Sequence, residues 1–261
     1  MSEIWAKGDA YEAYVGRWSR AVAAEFLDWL AAGPQLRWLD VGCGTGALTA
    51  TILDRCDPVA VLGVDASEGF LASATARVDD ARARFELGDA ARLPAAAADV
   101  AVSGLVLNFL PDPSAAVAAM RAAAPTGVVA AYVWDYAEKM ELMRHFWDAA
   151  VALDPKGHDV DESARFPICR PDRLDALWRD AGLVDVTTRA IDVPTVFADF
   201  DDYWTPFLGG QGPAPAYAMS LDAPRRDALR NRIRAGLPVA ADGSISLIAR
   251  AWAVRGRSVQ P

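Results

Sequence analysis

The sequence predicts an α/β fold in which short buried strands alternate with helices. Trp38, Leu39 and Val41 form an apolar run that is typical of a buried strand. Three glycines spaced by single residues follow this run, and Leu48 and Ile52 then stand one helical turn apart. A strand, a glycine turn and a helix in this order form a nucleotide-binding unit, because glycines permit close approach of a ligand and a helix N-terminus offers unpaired N–H groups.

Further apolar runs predict the other strands. They cover residues 58–65, 84–90, 99–109 and 128–134, and later residues 184–190 and 246–254. Helical patterns lie between them, and one of these helices is opened by Asp112 and Pro113.

Length and composition limit the classes of function. A chain of 261 residues is long enough for one α/β domain with insertions. The formal net charge of −9 argues against a nucleic-acid partner and against anionic membrane surfaces, because both bind Lys and Arg. No apolar run reaches transmembrane length, and residues 1–5 lack the features of a secretion signal. Cys43, Cys56 and Cys169 show no metal spacing, so we expect reduced thiols, no metal site and a cytoplasmic location.

The glycine turn admits two classes of cofactor. Gly42, Gly44 and Ala47 satisfy the permissive dinucleotide fingerprint, which leaves a nicotinamide cofactor open. Gly46, and an acid just before the first glycine, are more typical of the other class. Residues 39–46 resemble the first motif of class I S-adenosylmethionine (SAM)-dependent methyltransferases. The resemblance implies that the turn passes under the methionine and ribose of SAM, and it assigns cofactor contacts to Asp40, Gly42, Cys43, Gly44 and Gly46.

The same resemblance covers residues 36–136 well and implies a doubly wound, mostly parallel sheet of seven strands in a single domain over residues 1–261, with SAM at the carboxyl ends of the first strands.

Asp65 follows Gly46 by 19 residues, about where such a unit places the acid that accepts from the ribose hydroxyls, and Ala66 lies beside it. The alternative for Asp65 is a helix cap. By resemblance, Asp89 and Ala90 match the pair that binds the adenine amino group and ring, and the alternative there is an ordinary turn. Leu107, Asn108 and Phe109 are expected to border the transferred methyl group, with Leu107 on the cofactor side.

Residues 1–34 predict a flap followed by a helix that Ser19 caps. Residues 11–19 are similar to the N-terminal flap of small-molecule methyltransferases of the ubiquinone-biosynthesis type, the methyltransferase type 11 group. The resemblance implies SAM contacts for Tyr14 and Arg17, with the Arg17 guanidinium on the methionyl carboxylate. A surface ion pair is the alternative for Arg17.

Residues 137–171 and 195–245 are interpreted as insertions that form a cap on the same domain. Two apolar stripes within residues 142–153 predict a helix covered on both sides. Residues 200–213 are rich in aromatics, Gly and Pro and predict a shaped loop that carries binding groups. Five arginines between positions 225 and 234 predict a basic helix with a solvated face, and an anion site is the alternative. The candidate residues of the acceptor site are Asn108, Trp134, Phe146, Trp147, Trp204 and Phe207. About half of these aromatics are expected to be core instead.

The predicted function is methyl transfer from SAM to a small molecule, mainly through alignment of the reactants and exclusion of water. A base is needed only if the acceptor must lose a proton, and the candidates are His145, Asp135 and Tyr136. Two alternatives stay open: an NAD(P)-dependent oxidoreductase on the same fold, and a non-catalytic SAM-binding protein. The motifs encode neither the acceptor nor the oligomeric state.

Overall fold

The structure is a computed structural model that describes residues 16–209 and 212–259. The predicted flap residue Tyr14 lies outside the described residues. Arg17 is described only as the first residue of a helix, so its predicted contact with SAM also lies outside the described part.

Seven strands form one sheet. They are β1 (Arg37–Val41), β2 (Ala60–Asp65), β3 (Ala83–Leu87), β4 (Val100–Gly104), β5 (Val128–Trp134), β6 (Val184–Phe197) and β7 (Ile245–Arg257). Their order across the sheet is β3-β2-β1-β4-β5-β7-β6. β1 pairs in parallel with β2 and β4, β2 with β3, and β4 with β5. This arrangement confirms the predicted doubly wound, mostly parallel sheet.

The sheet changes direction at β7. The N–H of Asp135, just after β5, donates to the carbonyl of Arg250 at 2.9 Å, and the N–H of Ser258, just after β7, donates to the carbonyl of Gly127 at 2.9 Å. Later residues of β5 therefore pair with earlier residues of β7, and the two strands are antiparallel.

The described α-helices are α1 (Arg17–Leu30), α2 (Ala47–Arg55), α3 (Glu68–Arg77), α4 (Pro113–Ala123), α5 (Glu141–Leu153), α6 (Glu162–Arg165), α7 (Pro171–Asp180), α8 (Phe200–Trp204), α9 (Pro213–Ser220) and α10 (Ala223–Gly236). Short 3₁₀ helices cover Leu107–Phe109, Pro155–Asp159 and Thr205–Gly209. None of the described helices combines the length and apolar character that crossing a membrane requires.

Two helix and strand boundaries differ from the prediction. Ser19 lies inside the first turn of α1 and does not cap it, because the helix already begins at Arg17. The strand predicted to reach residue 109 ends at Gly104, since Leu105 has a left-handed φ of 62° and a 3₁₀ helix follows.

The loop predicted over residues 200–213 is wrong, because most of this stretch is helical. The side chain of Asp199 accepts from the N–H of Asp202 at 2.9 Å and so caps α8. Phe200, Tyr203 and Phe207 are spaced by three and four residues, so a helix places their rings on one buried face.

The described residues divide into two compact units. The sheet unit comprises residues 19–133, 168–191 and 251–259, and the aromatic unit comprises residues 16–18, 134–167 and 192–250 without 210–211. The aromatic unit contains most of both predicted insertions, although β6 extends to Phe197, beyond the predicted start of the second insertion. The interpretation of these segments as a cap on a single domain stays a prediction.

Each unit has its own core. In the sheet unit, the fully buried side chains include Trp38, Leu39, Phe26 and Ile52. In the aromatic unit, α5 is buried on two sides, as its two apolar stripes predict.

Candidate functional site

The glycine turn follows β1 as predicted. Gly42, Gly44 and Gly46 have φ values of 73°, 53° and 83°, in the left-handed region that side chains disfavour. The N–H groups of Gly42 and Cys43 donate to the carbonyl of Val64 at 2.7 and 3.1 Å, which ties the turn to β2. The backbone conformation therefore explains why these three positions are glycine.

The space around the turn differs between its glycines. A Cβ atom at Gly42 would lie 2.5 Å from Cγ1 of Val106, whereas a Cβ atom at Gly44 would meet no heavy atom of the described residues within 4 Å. Val106, just after β4, thus packs on the first glycine, and the backbone of Gly44 faces open space. A side chain at position 44 would fill the space through which a ligand can approach the backbone.

Asp65, at the end of β2, accepts hydrogen bonds from the glycine turn and from the start of the segment that leads into α3. Its Oδ2 accepts from the N–H of Gly44 and its Oδ1 from the N–H of Ser67, each at 2.9 Å. The cap of α3 is Ser67, whose hydroxyl oxygen accepts from the N–H of Phe70, so Asp65 is not that cap. Each carboxylate oxygen can accept more than one hydrogen bond, so Asp65 can also accept from ribose hydroxyls. Ala66 is exposed beside it.

Asp40 is a buried carboxyl group beside the glycine turn, with 1% of its surface exposed. Its Oδ2 accepts from the hydroxyl of Thr49 at 2.7 Å, and its Oδ1 has no hydrogen-bond partner among the described residues. Burial raises the pKa of Asp40 to about 7, while the Thr49 hydroxyl opposes this shift and the charge of Asp65 adds to it. No sequence motif indicates that Thr49 binds Asp40.

The chain after β4 supplies a second unpartnered polar atom. Leu107 is fully buried and Asn108 is buried, whereas Phe109 is exposed. Within the described ranges, Nδ2 of Asn108 has no hydrogen-bond partner. Buried polar atoms are rarely left in this state, so an unpartnered donor here is a place for a ligand or water.

Asp89 lies in a turn just after β3. Its Oδ1 accepts from the N–H of Ala91 at 2.9 Å and its carbonyl from the N–H of Arg92 at 2.8 Å. The side chain is exposed, and its ion pair with Arg92, at 3.9 Å, is long. The ordinary turn is therefore present, and the adenine contacts of Asp89 and Ala90 stay predictions.

This set of groups fits SAM. Asp40 lies in β1, Asp65 ends β2 and Asp89 follows β3, and these three strands are neighbours in the sheet. SAM offers an ammonium, a sulfonium, two ribose hydroxyls and an adenine amino group, all of which carboxylates attract or accept from.

Asp135, after β5, is the most enclosed of the candidate bases. Its Oδ1 accepts from the N–H of Glu138 at 3.1 Å and its carbonyl from the N–H of Met140 at 2.9 Å, so it closes a turn. In the described part of the chain, Oδ2 of Asp135 has no partner. Burial raises the pKa of Asp135, and the charge of Glu138 adds to this shift, while the N–H of Glu138 and the charge of Arg250 lower it. Tyr136 is buried, with its ring 5.6 Å from that of Phe166.

His145, the remaining candidate base, lies on α5. It lines an open cleft of about 370 Å³ together with Asp148 and, from α10, Arg232. Burial lowers the pKa of His145, while Glu141 and Asp148 act in the opposite direction. The neutral ring this favours could accept a proton.

The aromatic candidates for the acceptor site are all buried. Phe146 stacks on Phe207 with ring centroids 4.6 Å apart, and lies 5.1 Å from Trp147. Trp204 lies 5.9 Å from Phe207, and Trp134 is also buried. These rings pack on protein, which is the core role expected for part of them, and their role in an acceptor site stays a prediction.

Glu162, at the start of α6, is a buried carboxyl group that no motif indicates. It is 1% exposed, Nε1 of Trp147 donates to its Oε2, and among the residues described its Oε1 has no partner. Burial raises the pKa of Glu162 to about 7; Asp161 adds to the shift, while the Glu162 N–H, Trp147 and Arg165 oppose it.

The parallel sheet, its strand order, the glycine turn after β1 and the acid at the end of β2 together define the class I SAM-dependent methyltransferase fold. A family profile described as "Methyltransferase domain" matches residues 39–127.

Two relatives extend this match. Trans-aconitate 2-methyltransferase from Methylobacterium radiotolerans is 34% identical over 158 residues, which cover 55% of this chain and 60% of the relative. Demethylmenaquinone methyltransferase from a Roseiflexus species is 30% identical over 178 residues, which cover 62% of this chain and 74% of the relative. The chain belongs to the SAM-dependent methyltransferases, which confirms the predicted family.

A solved structure of a putative methyltransferase from Bacillus halodurans has the same fold, with a TM-score of 0.60, 13% identity and coverage of 90% of this chain and 98% of that one. The chain spans between 54% and 60% of the length of the first two trans-aconitate methyltransferases it matches. The oxidoreductase alternative finds no support in these matches.

Proposed function

We propose that this protein transfers the methyl group of SAM to a small organic acceptor. The observation that carries the proposal is the Asp65 carboxylate bonded to the N–H of Gly44, at a turn whose backbone faces open space. That arrangement places an acceptor for hydroxyls beside a backbone that a ligand can approach.

In this proposal, different residues bind different parts of SAM. Asp65 accepts from the ribose hydroxyls, Asp89 and the N–H of Ala90 bind adenine, and Asp40 with the glycine turn faces the methionine part. Tyr14 and Arg17 remain our proposed partners for that part. Bound SAM supplies a methyl group that is already activated on a sulfonium, so the protein mainly orients the reactants and excludes water.

Where the acceptor must lose a proton, Asp135 is our preferred base. It combines a raised pKa with a buried oxygen that lacks a partner in the described ranges, which suits proton transfer near neutral pH. His145 and Tyr136 remain candidates, and His145 is less attractive because its cleft is open to solvent.

The relatives' names supply the first acceptors to test. Two of the matched proteins are named for trans-aconitate and for demethylmenaquinone, so these two compounds are the starting points. The net charge of −9 supports a small molecule over nucleic acid as acceptor. A cytoplasmic location remains part of the proposal.

The test is incubation with SAM and these acceptors, followed by mass spectrometry of S-adenosylhomocysteine and of the methylated product. Gly44→Ala should abolish both SAM binding and product, because its Cβ enters the open space. Gly243→Ala is the matched control, since Gly243 also has a positive φ, 90°, and a Cβ atom there would likewise meet no heavy atom within 4 Å in the described part of the chain. Equal activity in the two variants would contradict the proposed site. SAM binding without product from any acceptor would favour the non-catalytic alternative.

A further inference from the structure

A pocket outside the glycine-turn site lies in the aromatic unit, between the C-terminal end of α5, the end of α9 and the first half of α10. Its volume is about 360 Å³, within the range of small-ligand sites. Leu153, Leu221 and Leu229 form most of its apolar floor, with two alanines, and Asp154, Tyr217 and Arg225 are its polar groups. We call it the α5–α10 pocket.

Arg225 is the positively charged residue of this pocket, and its side chain is only weakly paired. Arg225 has a largely exposed side chain, and its ion pair with Asp222 is 3.9 Å long. Exposed ion pairs of this length contribute little, so the guanidinium is available to an anion.

The other two polar groups are fixed in place. Oδ1 of Asp154 accepts from the N–H of Lys156 at 3.0 Å, which orients the carboxylate. The ring of Tyr217 packs 5.4 Å from Trp147 and 6.2 Å from Phe146. The pKa of Tyr217 is raised first by burial and then by Asp154, and it is lowered by Arg225, so both charges lie within electrostatic reach of the phenol.

We propose that the α5–α10 pocket binds a small zwitterion with an apolar side chain, such as an apolar amino acid. Its carboxylate pairs with Arg225 and accepts from the hydroxyl of Tyr217. Its ammonium pairs with Asp154, and its side chain covers the leucines. This binding goes beyond methyl transfer and does not depend on it.

The opposite charges of Asp154 and Arg225 select this class of ligand. A simple anion would gain Arg225 but face repulsion from Asp154, and a simple cation would face the reverse. A neutral apolar ligand would cover the floor and desolvate both charges without pairing them, which is costly. A zwitterion with an apolar side chain satisfies all three parts of the lining.

Three matched probes test the proposal on the full chain: L-phenylalanine, 3-phenylpropanoate, which lacks the ammonium, and phenethylamine, which lacks the carboxylate. Ligand-observed NMR or calorimetry should show that L-phenylalanine binds about tenfold more tightly than either of the others. Equal affinities for the three probes, or no binding at millimolar concentration, would overturn the proposal.

Substitutions of Arg225 and Asp154 test whether L-phenylalanine binds in the α5–α10 pocket. Arg225→Gln should weaken the binding of L-phenylalanine about tenfold and leave the binding of phenethylamine no weaker. Asp154→Asn, which keeps a good helix cap, should weaken L-phenylalanine and leave 3-phenylpropanoate no weaker. Arg232→Gln is the control, because Arg232 lies on the same helix but lines the cleft of His145 instead. A loss with Arg232→Gln as large as with Arg225→Gln would show non-specific attraction and refute the assignment.

Discussion

Asp40 in the sheet unit and Glu162 in the aromatic unit are two buried carboxyl groups with nearly the same local chemistry. Each is 1% exposed, each has one oxygen bonded to a side-chain donor, and each has a second oxygen with no partner among the described residues. Burial raises the pKa of each to about 7.

Their surroundings differ. Asp40 lies beside a turn whose Gly44 backbone faces open space, whereas Glu162 is bonded to Trp147, whose ring packs against Phe146 and Tyr217. Of these two perturbed carboxyl groups, Asp40 is therefore the candidate for a ligand site, because the backbone beside it is open. The same perturbation inside an aromatic core indicates a structural group.

The largest effect should come from removing the cation beside Glu162. Both oxygens of Asp161, which is 3% exposed in its side chain, accept from Nη1 of Arg144 at 3.0 and 2.9 Å. Arg144→Met leaves this carboxylate buried and unpaired, and should lower the free energy of unfolding by about 3–5 kcal/mol. Chemical denaturation measures this. SAM affinity of the folded variant should not change.

Arg55→Met is the matched control, because Arg55 pairs with Asp28 at the surface. It should cost about 1 kcal/mol or less. Equal losses in the two variants would show that the Arg144 contact is no more than a surface ion pair.

Asp65→Ala should produce the opposite pattern. The change removes the acceptor for the Gly44 N–H and for the ribose hydroxyls, so the SAM dissociation constant should rise about tenfold or more. Isothermal titration measures it, and Asp28→Ala, an exposed carboxylate, should leave it unchanged. Unaltered SAM affinity in Asp65→Ala would remove this residue from the site.

The pH dependence of stability should separate the two buried carboxyl groups. For each, the folded pKa of about 7 lies above the unfolded value of about 4, so unfolding releases a proton between these values. The stabilising contribution is complete below about pH 4 and is lost as the pH rises through 7, on the order of 4 kcal/mol per group over this interval. Glu162→Gln and Asp40→Asn should each flatten the profile measured by urea unfolding between pH 5 and 8.5.

Saturating SAM sharpens this comparison. A hydrogen-bond donor of SAM beside Asp40 would favour the ionised form of Asp40. SAM should therefore reduce the loss of stability with rising pH more in Glu162→Gln, in which Asp40 still titrates, than in Asp40→Asn. An equal effect of SAM on both variants would show that Asp40 does not sense the ligand.

The smallest effect should come from Asp89→Ala. The carboxylate is exposed and only closes a turn, so the melting temperature of the protein without ligand should stay within about 1 °C of the original. SAM affinity should fall a few-fold, because one hydrogen bond to adenine in a solvated place is lost. A marked fall in melting temperature would show that Asp89 is structural.

Much of the sheet unit is predictable from sequence because its signals are local. Strands over 128–134 and near 60–65 follow from apolar runs, and the glycine turn follows from three positions that only glycine occupies without strain. The helix over 200–204 was not predictable in this way, because aromatics, Gly and Pro are common both in loops and in short capped helices.

The sequence by itself determined the family, the succession of the first five strands along the chain and the carboxylates at or near the ends of β1, β2 and β3, since each depends on residues close together in the chain. Only the tertiary structure decided that Val106 packs on Gly42, that Thr49 binds Asp40 and that Trp147 binds Glu162. The physical reason is that burial and hydrogen bonding depend on the partners that folding brings together, and these partners leave no periodic signal in the chain. For that reason the open carboxyl group of Asp40 and the enclosed one of Glu162 became distinguishable only in the folded protein.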